Sequence, residues 1–134
     1  PPSLGILMTS SLAAADGIIV TMQCEYYAME GLSVIISLIE QLRGNGVNPG
    51  LQLEGILMTM FDGRTRLAAD VVSEVRSHFG EKVYDTVIPR NVRISEAPSF
   101  GQPVVFYDPA SKGAEAYRAF AAEFARRTAP AVHV

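Results

Sequence analysis

The chain has 134 residues, of which 49% are hydrophobic and 19% are charged, so it fits one globular domain and excludes two of ordinary size. Its 11 Lys and Arg against 14 Asp and Glu give a net charge of −3, which argues against nucleic-acid binding over its whole surface. No apolar run reaches the about 18 residues of a membrane span. The single cysteine, Cys24, excludes an internal disulfide framework and is typical of the reducing cytosol.

Hydrophobic periodicity predicts helices and strands in alternation. Apolar residues at helical spacing predict four helices, over residues 5–15, 30–43, 64–79 and 111–127. Short apolar runs rich in β-branched residues predict four strands, over residues 18–22, 53–60, 83–88 and 104–107. Residues 1–127 are thus interpreted as one unit and residues 128–134 as a tail.

Strands that are apolar on both faces and alternate with helices predict an α/β fold of three layers, a mostly parallel sheet with helices on both faces. In such sheets, ligands bind beyond the carboxyl ends of the strands. The stretches that follow the first three predicted strands are also the most polar segments between elements. The sequence therefore predicts a binding site at this edge of the sheet.

The distribution of charge favours a local basic face. Ten of the eleven basic residues lie in residues 61–134, and nine of the eleven are Arg, the side chain best suited to phosphate. Arg64 and Arg93 each follow a different predicted strand, where together they could clamp phosphates without reading base sequence. The alternative is that both are ordinary surface arginines.

Five stretches, in order along the chain, resemble the C-terminal half of the ParA/Soj chromosome-partitioning ATPases. They are PPSLG at 1–5, QCEYYAMEGL at 23–32, LMTMFDGRT at 57–65, VIPRNVRISEAPS at 87–99, and YDP at 107–109 with GAEAY at 113–117. The family carries a glycine-rich phosphate loop near its N-terminus, and this chain has no Gly-x-x-x-x-Gly-Lys-Thr motif. We therefore expect the chain to be a piece of a longer protein and to be inactive alone.

The resemblance implies a P-loop NTPase-like fold and an intact protein that hydrolyses ATP with Mg²⁺. The other half of that protein would hold most of the ATP and the Mg²⁺. It also implies a nucleoid-associated cytoplasmic homodimer that binds double-stranded DNA without sequence preference. A centromere-binding partner of the ParB/Spo0J type would stimulate hydrolysis. The alternative from a different class is a dimerisation or scaffold module without nucleotide turnover. A membrane positioner of the MinD type is disfavoured, because residues 128–134 are too short and too weakly basic for an amphipathic membrane helix.

The resemblance also assigns candidate site residues. Pro89 and Asn91 are expected to contact the adenine base, with Thr59, Met60 and Asp62 as weaker candidates for the same wall. The residue types alone favour a strand-ending proline, an asparagine helix cap, and Asp62 as a cap for the helix at 64–79. The residues that match the family's DNA-binding face are Arg64 and Arg93, with Arg66, Arg90 and Lys112 as weaker members.

Overall fold

The structure is a computed structural model and describes residues 5–130. The expectations that fall on residues 1–4 and 131–134, which include most of the first family-like stretch and most of the tail, lie outside this range.

Three parallel strands form the sheet of the described chain, in the order β1-β2-β3. Each is one or two residues longer than the sequence predicts. The strands are β1 (Gly17–Gln23), β2 (Gln52–Phe61) and β3 (Val83–Pro89).

Four longer helices and two short ones surround the sheet, and two single turns of 3-10 helix follow α3 and α4. The helices are α1 (Ile6–Ala14), α2 (Ala28–Gly44), α3 (Arg66–Phe79), α4 (Val92–Glu96), α5 (Val104–Tyr107) and α6 (Lys112–Thr128).

Helices cover both faces of the sheet, so the predicted three layers are confirmed. Alternate residues of β2 point to opposite sides. Ile56 and Met58 are buried against α2 and α3, whereas Leu57 is buried against α6 and the side chain of Tyr84. Both cores are built of aliphatic and aromatic side chains and together fix the strand ends at one edge of the sheet.

The prediction of a fourth strand is wrong, because residues 104–107 form the short helix α5. Pro103 is the N-cap of α5, and its carbonyl accepts hydrogen bonds from the N–H groups of Phe106 and Tyr107 at 3.0 Å, while the apolar run is only four residues long. Val104 is buried beside Ala97 and Ala114 rather than in the sheet. A short apolar run does not by itself distinguish a strand from a buried helical turn.

The carboxylate of Glu123 on α6 fastens that helix to the edge strand β3. Its two oxygens accept hydrogen bonds from the backbone N–H groups of Asp85 (2.7 Å) and Thr86 (2.8 Å). These N–H groups lie where β3 bulges between its pairings with Ile56 and Met58 of β2, and a bulge leaves strand N–H groups without ladder partners. Arg127, one turn along α6, lies 2.7 Å from the same carboxylate. The side chain of Glu123 therefore supplies acceptors that the sheet itself lacks.

Candidate functional site

A cavity of about 250 Å³ lies at the carboxyl ends of all three strands, where the sequence predicts a site. Four of the five predicted base-contacting residues line it: Thr59, Met60, Pro89 and Asn91. Six further residues complete the wall, from β1, β3, α4 and α6, and are Thr21, Gln23, Ile88, Ile94, Ser95 and Tyr117. The cavity combines apolar side chains with a few polar groups, which is typical of a small-molecule site.

Asn91 is the N-cap of α4, as its residue type alone indicates. Its Oδ1 accepts hydrogen bonds from the backbone N–H groups of Arg93 (3.0 Å) and Ile94 (3.4 Å). The oxygen is thus occupied by the helix, while the amide Nδ2 forms no hydrogen bond with another described residue. Asn91 can cap α4 and donate to a ligand at the same time, so the two interpretations of this residue are compatible.

Gly113 allows α6 to approach this cap closely. A Cβ at this position would lie 2.5 Å from Cγ1 of Ile94 and 3.1 Å from Oδ1 of Asn91. The distance to Ile94 is too short for a real Cβ atom and the distance to Asn91 is tight, so a larger residue here would require the Ile94 side chain to shift. The start of α6 therefore helps to hold Asn91 against the cavity.

Met60 has an unusual backbone conformation at the cavity wall. Its φ is +56°, the only positive value among the non-glycine residues that the structure describes. A side chain in this left-handed region costs free energy, and such residues concentrate at functional sites. The conformation occurs at the end of β2, directly before the loop that carries Asp62 and Arg64.

Asp62 is not among the residues that line the cavity, and the interpretation of Asp62 as the cap of the following helix is wrong. Its carboxylate instead forms a two-point ion pair with Arg64, through Nε (3.0 Å) and Nη2 (2.9 Å). The N-cap is Thr65, whose hydroxyl accepts from the N–H of Ala68, and α3 begins at Arg66. Because of the turn Asp62–Thr65, α3 begins two residues later than the sequence predicts.

Arg93 lies between two carboxylates. Its Nη1 is 3.0 Å from Oε2 of Glu96, and its Nε is 3.2 Å from Oδ2 of Asp108. The hydroxyl of Tyr107 donates to the same Glu96 oxygen at 2.8 Å, and the Tyr107 ring stacks on Phe100 at 4.9 Å. We call Arg93, Glu96, Tyr107 and Asp108 the Arg93 cluster.

The other predicted basic residues are also exposed at this end of the sheet or on the helices that start there. Arg66 lies 3.8 Å from Asp70, a weak pair because both side chains face solvent. Arg90 follows β3, and its N–H donates to the carbonyl of Phe61 at 2.8 Å, which joins the loops after β2 and β3. Arg90 and Lys112 form no ion pair with another described residue.

Sequence reasoning missed the acidic partners of these arginines. Glu96 follows Arg93 by three residues on α4, a spacing that favours a pair on a helix. Asp108 approaches Arg93 only because α4 and α5 fold together, so no local pattern indicates it. As a result, the basic face is more nearly neutral than the count of arginines implies.

Cys24 is buried at the end of β1, as predicted for a packing residue. Its N–H donates to the carbonyl of Thr59 at 3.0 Å, and burial raises the pKa of the thiol to about 11. The thiol is therefore protonated at neutral pH and is not a nucleophile.

The residues of this chain fit a nucleotide's base better than its phosphates or metal. Pro89, which has an apolar ring, and Asn91, whose Nδ2 has no hydrogen-bond partner among the described residues, both line the cavity. Within residues 5–130, no group of three or more His, Cys, Asp or Glu could hold a metal ion. In the same range, no helix is long and apolar enough to cross a membrane.

The chain is similar to curated proteins of chromosome partitioning. It is 51% identical to the chromosome partitioning protein ParA of Myxococcus xanthus over 97% of this chain. It is 54% identical to the chromosome-partitioning ATPase Soj of Thermus thermophilus over 95% of this chain. The chain belongs to the ParA/Soj family. It spans about half the length of these relatives, 46% and 51% respectively.

Two further comparisons agree with the fold of this ParA/Soj chain. A family model described as an AAA domain matches residues 1–53. Cobyrinic acid a,c-diamide synthase of Mycobacterium smegmatis, solved with a bound ATP analogue and magnesium, is 35% identical with a TM-score of 0.74, over 94% of this chain and 45% of that one. The cell division ATPase MinD of Pyrococcus furiosus, at 22% identity and a TM-score of 0.63 over 94% of this chain and 49% of that one, shares the fold.

Proposed function

We propose that this chain is part of an ATP-dependent DNA-partitioning switch. In its ATP-bound state the intact protein forms a homodimer that binds double-stranded DNA without sequence preference. A ParB-type partner then stimulates ATP hydrolysis and releases the DNA. The observation that carries the proposal is the identity of about half of all residues to partitioning proteins over 95% or more of the chain.

The cavity at the strand ends is proposed as the adenine side of the ATP site. Pro89 packs against the base, Nδ2 of Asn91 donates to its edge, and Thr59 and Met60 close the wall. The related synthase was solved with an ATP analogue and magnesium, which supports a nucleotide in this fold. The phosphates and Mg²⁺ are held by residues outside this chain, because the chain has no phosphate-loop motif.

The open edge of β1 supports a further strand in the intact protein. Among the described strands, β1 pairs only with β2, so its other edge is unpaired. It carries Ile18, Ile19 and Val20 and no Lys or Pro, the residues that usually protect an exposed edge. We propose that another segment of the intact protein adds a parallel strand here and brings the phosphate loop beside the cavity.

Arg64 and Arg93 are proposed as the main phosphate contacts, with Arg66, Arg90 and Lys112 as weaker ones. All five are exposed, and Arg64 and Arg93 follow neighbouring parallel strands at the same sheet edge. Arginines in this position can contact phosphates of any sequence.

The test is DNA binding by the full-length protein with ATP, with ADP and without nucleotide, on two unrelated duplexes. The proposal predicts binding to both duplexes with ATP and little binding otherwise, with affinity that falls steeply as salt rises. Equal DNA binding with ATP, with ADP and without nucleotide would contradict the switch and favour the scaffold alternative. Binding to only one duplex would contradict contacts made through phosphates.

A further inference from the structure

The Arg93 cluster places one positive charge between two negative ones. Glu96 and Asp108 lie 3.0 and 3.2 Å from different nitrogens of the same guanidinium. Two carboxylates against one guanidinium give the cluster a formal net charge of minus one. A phosphate that approaches Arg93 meets this net charge and must compete with two carboxylates already in place.

The cluster is held by more than its ion pairs. Tyr107 donates to Oε2 of Glu96 at 2.8 Å, and its ring is fixed by stacking on Phe100. Hydrogen bonds from Tyr107 and Arg93 lower the pKa of Glu96, so the carboxylate stays charged. About half of the Arg93 side chain nevertheless remains exposed (53%), which leaves the guanidinium accessible to a ligand.

The other arginines of this face differ from Arg93. Arg64 shares its charge with one carboxylate, Asp62, and its side chain is 87% exposed. Arg90 has no ion-pair partner among the described residues. Among the five proposed phosphate contacts, which all lie in the described range, only Arg93 pairs with two carboxylates, Glu96 on its own helix and Asp108 directly after α5.

We propose that Glu96 and Asp108 act as an electrostatic brake on Arg93, keeping the affinity of this face for DNA phosphates low enough for release. This inference rests on the proposed DNA contact of Arg93. Both carboxylates act through Arg93 and touch no DNA themselves. Replacing either carboxylate by the amide of the same shape removes its negative charge, leaves Arg93 more available to phosphate and strengthens DNA binding.

The experiment measures DNA affinity of the full-length, ATP-loaded protein carrying Glu96→Gln, by anisotropy on a single duplex. The glutamine oxygen still accepts from Tyr107 and Arg93, so the fold of α4 and α5 is kept. We expect binding about three-fold tighter than in the parent, with a gain that shrinks as salt rises, because the charges are partly exposed. Asp108→Asn provides the same test if Glu96→Gln does not fold.

Two controls separate a brake from a general change of charge. Glu115→Gln, on the first turn of α6, removes the same charge from a residue that pairs with no described arginine, and should change affinity less. In the Arg93→Ala background, Glu96→Gln should have no effect, because the residue through which it acts is gone.

The outcomes distinguish this inference from the proposed function. If Arg93→Ala weakens binding but Glu96→Gln and Asp108→Asn leave it unchanged or weaken it, the carboxylates orient Arg93 and the brake is overturned, while the DNA contact stands. If Arg93→Ala binds like the parent, the DNA contact itself fails and the brake fails with it. If Glu96→Gln tightens binding equally with and without Arg93, the effect is a general one and the brake is overturned.

Discussion

Asp62 and Arg64 pair through both carboxylate oxygens in the turn after β2, and this pair determines the charge of the loop that we propose to face DNA. The hydrogen bonds from Arg64, from its side chain and its backbone N–H, lower the pKa of Asp62 from 3.8 to about 2. The charge of Arg90, on the neighbouring loop, makes a smaller contribution to the same lowering of the pKa. The pair lies within the turn after β2, and the hydrogen bond from the N–H of Arg90 to the carbonyl of Phe61 joins this turn to the loop after β3.

The first prediction concerns the titration of Asp62. Because its folded-state pKa lies below 3.8, the pair stabilises the fold above about pH 4, and this contribution is lost as the pH falls through about 2. In an Arg64→Gln variant, the pKa of Asp62 should rise toward 3.8. Carboxyl chemical shifts in an NMR titration measure it, and an unchanged pKa in the variant would show that Arg64 does not hold the carboxylate.

The second prediction concerns Glu123, which is only 3% exposed. Glu123→Ala leaves the N–H groups of Asp85 and Thr86 without acceptors and removes the nearer of the two carboxylates that pair with Arg127. We expect it to lower the free energy of unfolding by about 3 kcal/mol, measured by urea denaturation. Glu115→Ala, at an exposed position of the same helix, should cost less than about 0.5 kcal/mol. Equal losses for the two variants would contradict the role given to Glu123.

The third prediction separates the two roles of Asn91. Asn91→Asp keeps the oxygen that caps α4 but removes the Nδ2 donor, whereas Asn91→Ala removes both. Asparagine and aspartate cap helices about equally well, so Asn91→Asp should keep the parent's stability and Asn91→Ala should lose about 1 kcal/mol. In the full-length protein, both should weaken ATP binding, as measured by calorimetry. ATP affinity equal to the parent's in both variants would remove Asn91 from the site.

The fourth prediction concerns turnover by the chain of residues 1–134. It contains the cavity wall but no phosphate-loop motif, and phosphoryl transfer depends on positioning and charge stabilisation at the phosphates. We expect no ATP hydrolysis above background in a phosphate-release assay. Turnover by this chain, purified free of contaminating ATPases, would show that its own residues hold the phosphates.

The core strands could be predicted because burial on both faces gives them a continuous apolar pattern, as in Ile56, Leu57 and Met58. The helix α5 could not, because four apolar residues carry too little periodicity and the start depends on Pro103. The cavity position followed from the rule for parallel sheets, and Asn91 was recognisable as a cap. The pairing of Arg93 with Asp108 depends on how α4 and α5 pack, so the sequence offers no local sign of it.

The central claim is that Arg64 and Arg93 bind DNA phosphates, and substitution of each by glutamate tests it most directly. In a dimer each residue is present twice, so one substitution alters two contacts. Gel-shift titrations of the full-length protein with ATP, at two salt concentrations and on two unrelated duplexes, measure the effect. The control is Arg76→Glu, because Arg76 lies in the last turn of α3, at the opposite end of that helix from Arg66, and donates to the carbonyl of Asp85 at 3.0 Å.

We predict that Arg64→Glu or Arg93→Glu abolishes DNA binding at near-physiological salt while ATP binding and dimerisation persist, and that Arg76→Glu has much less effect. If the Arg64 and Arg93 variants bind both duplexes like the parent while the Arg76 variant fails, the DNA-binding face lies on a different side of the molecule.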